Sequence, residues 1–159
     1  MEWILPLIKS PDVVRQQLDD HKAHLAHMAL GIAGEVLELQ ASYSRENTIE
    51  ELGDINFYVY GALLHLPEQV HQVHYTGVSP FSDAVDLMKK YAIYGKQIDF
   101  DLLRSVLISC VFEVKRLCIE NDLYYPDIVE HNKTKLLKGR YKTGSYSDEQ
   151  AIKREDKND

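Results

Sequence analysis

Apolar residues recur along most of this chain at steps of three and four, the spacing of one helix face. Ser10-Pro11 supplies an N-cap followed by proline at the first helical position, which predicts a helix running to about Asp20. Leu25, Met28, Ile32, Val36, Leu39 and Tyr43 then form one apolar stripe. Thr48 is predicted to open the next helix after a short polar turn at about residues 45–47. Its stripe is Leu52, Ile55, Val59, Leu63 and Leu66, and Pro67 ends it. Residues 67–80 read as a connector that closes at Ser79-Pro80. A helix is expected from about Ser82 to Tyr94, stopped by Gly95. Another spans about Asp101–Glu120, carrying Leu103, Val106, Leu107, Cys110, Val114 and Leu117. A last long helix starts at Pro126 and is expected to terminate at Gly139.

The elements predict an all-α fold. Residues 24–66 and 82–121 share one plan, a helix, a short polar turn and a longer apolar helix. That suggests a duplicated helical hairpin, and two hairpins make a four-helix-bundle-like core. The N-terminal and C-terminal helices would flank it. Residues 1–142 read as a single domain, and residues 143–159 as a polar tail with a short helix after Ser147.

The 159 residues suffice for one domain, and 45% hydrophobic content suffices for its core. The formal charge of −7 repels nucleic acid, so a polyanionic ligand needs a local basic patch or bound cations. Cys110 and Cys118 are about 12 Å apart along one predicted helix, beyond the roughly 7 Å reach of a disulfide, and read as buried thiols. The start, MEWILPLIKSP, lacks the basic region of a signal peptide, and no stretch reaches the ~18 apolar residues of a membrane span. A cytoplasmic protein with no membrane partner is expected.

Candidate chemistry centres on four acids. Glu35 and Glu38 are spaced i, i+3, and Glu51 and Asp54 repeat that spacing on the next helix, so each pair shares a helix face. Each acid immediately precedes a core position: Val36, Leu39, Leu52 and Ile55. Both acidic stripes therefore sit about 100° from the core in the same sense. A tight antiparallel turn brings two such stripes to one side of the pair. Four carboxylates held together without a cation would raise one another's pKa, and Mg²⁺ or Mn²⁺ relieves that repulsion. Gly31, Gly34 and Ser42 flank the first pair and leave room for a ligand. A plainer reading also stands. Thr48-Ile49-Glu50-Glu51 has the form of a capping box, and the other acids would then be a solvated face.

Other residues are secondary. His21, His24 and His27 lie on one stretch, and His24 or His27 would line a pocket before Glu35. His71 and His74 read as connector surface. Tyr58, one turn beyond Asp54, is a stacking platform or a boundary aromatic. Lys133, Lys135, Lys138, Arg140 and Lys142 form a basic cluster that either complements a helix C-terminus or binds phosphate.

Gly34-Glu35-Val36-Leu37-Glu38-Leu39, then Glu51-Leu52-Gly53-Asp54 and the apolar run 55–60, resemble the E-x-x-E…E-x-x-D motif of MazG-like all-α nucleoside triphosphate pyrophosphohydrolases. Asn132-Lys133-Thr134-Lys135-Leu136, Arg140-Tyr141 and the stretch from Ala151 to Arg154 are similar to the tail of small members, and Lys89-Lys90 with Tyr94-Gly95-Lys96 resemble a further stretch. Leu37, in place of a small residue, and the one-residue shift of Arg140 depart from the pattern. The resemblance implies hydrolysis of a nucleoside triphosphate to the monophosphate and pyrophosphate. Glu35, Glu38, Glu51 and Asp54 would hold Mg²⁺, with Mn²⁺ as an alternative. Glu38 would double as general base, and Lys135 and Arg140 would stabilise the leaving group. His27, Tyr58, Lys96 and Asn132 would bind substrate, and a homodimer or homotetramer is implied. The competing classes are a carboxylate-bridged di-metal bundle, disfavoured because neither acidic helix carries Glu-x-x-His, and a non-catalytic helical scaffold.

Overall fold

The computed structural model describes residues 7–141 and 144–153; the expectations attached to Met1–Pro6, Lys142 and Arg154 fall outside them. All regular structure among the described residues is helical. The helices are α1 (Pro11–Gln17), α2 (Asp20–Ala41), α3 (Arg45–Leu64), α4 (Pro80–Ala92), α5 (Phe100–Glu120), α6 (Tyr125–Thr134) and α7 (Asp148–Lys153). None is long and apolar enough to cross a membrane.

Side-chain caps decide several boundaries. Ser10 accepts a hydrogen bond from the Val13 amide and opens α1 with Pro11 in its first turn. The helix stops at Gln17, short of the expected Asp20. Leu18 is extended, and Asp19 restarts the chain by accepting from the Lys22 amide at 2.8 Å. α2 ends at Ala41, so Tyr43 leaves the apolar stripe and is 90% exposed. The turn is Ser42–Ser44 rather than 45–47. Ser44, not Thr48, caps α3, accepting from the Asn47 amide at 3.1 Å. Thr48 lies inside the helix and donates its hydroxyl to the Ser44 carbonyl at 3.0 Å. The capping box predicted for Glu51 therefore does not form.

α2 packs on α3 and α4, and α5 packs on α4 and α3, so each of these four helices touches two of the others. Leu25, Ile32, Leu52, Ile55, Val59, Met88, Leu103, Leu107 and Val114 are sealed between them. The connector before α4 is strapped to α5 by Asp101, which accepts from the Val70 and His71 amides at 3.1 and 2.7 Å. At the end of α4, Gly95 adopts φ +65°, which lets the Lys96 amide reach back to the Lys90 carbonyl and close the helix.

α6 lies across α3. A side chain at Gly53 would press into Asn132, so this crossing is as close as a glycine allows. The helical backbone does not end at Gly139 as expected. It continues through Lys135–Arg140 in the wider π-helical form, with the Tyr141 amide donating to the Leu136 carbonyl five residues back. The positive-φ glycines among the described residues are Gly95 and Gly144 instead.

Candidate metal centre

The tight turn between α2 and α3 fixes the two helices antiparallel, and small residues let them approach. Tyr58 covers Gly31, and Met28 packs against Gly61. Gly31 thus makes room for an aromatic ring rather than for a ligand, whereas the space above Gly34 is open. Across this seam Glu35 and Glu38 of α2 meet Glu51 of α3. One carboxylate oxygen from each lies within 4.8 Å of the other two, a spacing at which three acids share one ion.

Burial makes this more than a surface cluster. Glu51 is only 5% exposed, and its Oε2 is enclosed without a hydrogen-bond partner. A buried carboxylate oxygen with nothing to accept from is costly, so the position calls for a proton or a cation. The proton affinities respond accordingly. Burial, then the hydrogen bond to Glu51 and the charges of Asp54 and Glu38, push Glu35 up to about 8. Burial also raises Glu51, although the hydrogen bond from Glu35 partly offsets it. Without a cation the pair is driven toward holding a proton, Glu35 most strongly.

Asp54 does not belong to the three-oxygen group. Its Oδ1 accepts from Asn132 Nδ2 at 2.5 Å, and its Oδ2 pairs with Lys135 Nζ at 2.6 Å. The same ammonium sits 3.1 Å from Glu50 Oε1. The Lys135 side chain is 7% exposed. Burial alone would pull its pKa down, and Asp54 with Glu50 more than reverses this. Asn132, expected to bind substrate, is instead a buried anchor for Asp54. Glu50 was missed by the sequence reading, and its place one residue before Glu51 points it at α6 rather than α2.

The remaining residues divide between two ends of the bundle. Tyr58 borders the acids: burial raises its pKa, the charges of Glu35 and Asp54 add to this, and that of Arg140 opposes it. The charge of Arg140 thus reaches Tyr58. His27 stands edge-on to Tyr58 with ring centroids 5.9 Å apart. His24 is used otherwise, bonding the Gly61 carbonyl at 3.0 Å and stacking on His65. Lys96 is not at the site. It follows α4 at the end marked by the His21–Tyr91 contact, and about 21 Å of helix separates His21 from Glu35. One turn beyond Glu38, a cavity of about 390 Å³ opens beside Ser42, Tyr43, Ser44, Arg45 and Thr48.

Comparison with protein-family models, curated proteins and solved structures returned no match.

Proposed function

We propose that this chain is a divalent-cation-dependent hydrolase that converts a nucleoside triphosphate to the monophosphate and pyrophosphate, as the likeness of its acidic motif to MazG-like pyrophosphohydrolases implies. The observation that carries the reading is the Glu35–Glu38–Glu51 group, in which Glu51 is buried and has an unpartnered Oε2. An all-oxygen donor set of this kind suits a hard cation, Mg²⁺ or Mn²⁺. Bound there, such an ion would neutralise phosphate charge and lower the pKa of a coordinated water.

The protein's own groups fit the remaining tasks. Glu38 is the exposed member of the trio and, in this reading, takes the proton of the attacking water. Lys135, enclosed between Asp54 and Glu50, holds those acids in place, and Arg140 is the cation that stabilises the pyrophosphate leaving group. Tyr58 and His27 form an aromatic border suited to a base. Neither competing reading gains a specific observation. A scaffold does not require a buried carboxylate oxygen left without a partner at the α2–α3 seam.

The test is turnover. Purified protein is incubated with a panel of ribo- and deoxyribonucleoside triphosphates and Mg²⁺, and products are resolved by chromatography. Monophosphate with pyrophosphate, lost in Glu38→Gln, supports the proposal. Orthophosphate as the product, or no turnover of any nucleotide, overturns it.

A further inference from the structure

Resting on the cation-site reading above, the geometry points to Glu50 as a positioning residue that receives the Lys135 ammonium when Asp54 turns to the cation. Three observations lead there. Both oxygens of Asp54 are turned to Asn132 and Lys135, outside the Glu35–Glu38–Glu51 group, so swinging the Lys135-paired oxygen onto a cation in that group draws it away from the ammonium. The Lys135 side chain is almost fully enclosed, so an ammonium that lost its only carboxylate would be stranded away from water. Glu50 Oε1 already lies 3.1 Å from the same Nζ. The lysine thus has a second carboxylate in place and needs no large movement. Its backbone stands at the start of the π-helical segment, and the α6 face it shares with Asn132 holds both partners of Asp54.

In this arrangement the two acids of the Glu50–Glu51 pair do different work. Glu51 points into the seam with α2 as a ligand, and Glu50 points to α6 as a counter-ion. Without Glu50, Asp54 becomes the sole anion for Lys135, and its recruitment to the cation carries the penalty of an unpaired buried charge. Glu50 therefore favours cation binding through Lys135, not through its charge alone.

A double-mutant cycle separates these two routes. Mn²⁺ and Mg²⁺ binding to the full chain is measured by calorimetry, without nucleotide, for wild type, Glu50→Gln, Lys135→Met and the double variant, with thermal melts confirming that each is folded. Glu50→Gln is expected to weaken binding on the order of tenfold, within the coupling range of neighbouring charges. In the Lys135→Met background the same change is expected to have little effect, because no ammonium is left to strand. An equal loss in both backgrounds would mean that Glu50 acts only by bulk charge, and it overturns this inference while leaving the cation site intact. No binding by folded wild-type protein overturns both.

Discussion

The ring of Tyr58 occupies the space over Gly31, so that a Cβ at residue 31 would overlap it, while nothing stands within 4 Å of a Cβ at Gly34. The two glycines are one helical turn apart on α2 and yet have opposite meanings. Gly31→Ala forces Tyr58 aside. Overpacking of this kind costs about 1–3 kcal/mol, and better helix propensity returns only about 1. Gly34→Ala meets open space and gains roughly 0.5–1 kcal/mol. Chemical denaturation of the two variants should therefore shift the midpoint in opposite directions.

The shared proton of Glu35 and Glu51 makes the cation-free protein sensitive to pH in an unusual sense. Glu35 titrates near 8 in the folded chain, against an ordinary value of 4.5. Between these values the folded state holds a proton that the unfolded state has released, so stability falls as pH rises. The contribution is complete below about 4.5 and lost by about 8. Melting temperatures measured in chelator from pH 5 to 8 should decline for wild type and decline less for Glu35→Gln. Added Mg²⁺ should restore most at the alkaline end, where no proton competes for the site.

Ser44 sets where α3 begins and hence the phase of its acidic face. Ser44→Ala should destabilise the fold by about 1 kcal/mol, the usual worth of an N-cap. Replacing the Thr48 hydroxyl should cost less, since it bonds the Ser44 carbonyl and the Ser42 hydroxyl and satisfies no unpaired helix amide. A larger loss at Thr48 than at Ser44 in urea melts would return the helix start to residue 48.

If triphosphate hydrolysis is the activity, Glu38 and Lys135 act at different points. Glu38→Gln should lower kcat by about 10²-fold or more, in line with loss of a general base. Lys135→Met should lower kcat/KM by leaving Asp54 and Glu50 without their shared counter-ion. Steady-state kinetics at saturating Mg²⁺ checks both, and an unchanged kcat in either variant removes that residue from the mechanism.

The residue pattern was most informative where local rules and packing agree. The stripes of α2, α3 and α5 identified their buried faces, and the equal offset of Glu35, Glu38 and Glu51 from those faces anticipated the three acids that meet across the α2–α3 seam. What it missed depended on contacts between distant segments. Thr48 looked like a cap because the stronger Ser44 stood next to a residue, Tyr43, that seemed to continue the stripe. Gly139 looked like a stop, but the backbone there widens into a π-turn. Asp54 carried the same local signature as Glu51. Only the approach of α6, permitted by Gly53, committed it to Asn132 and Lys135. Lys96 was joined to the site by motif likeness alone, and the length of α2 keeps it away.

Anomalous scattering from crystals grown with Mn²⁺ tests the centre of this account most directly. One strong peak is expected in the α2–α3 seam, within coordination distance of oxygens of Glu35, Glu38 and Glu51. A map with no peak among these three side chains, at a Mn²⁺ concentration that saturates any binding seen in solution, would contradict it.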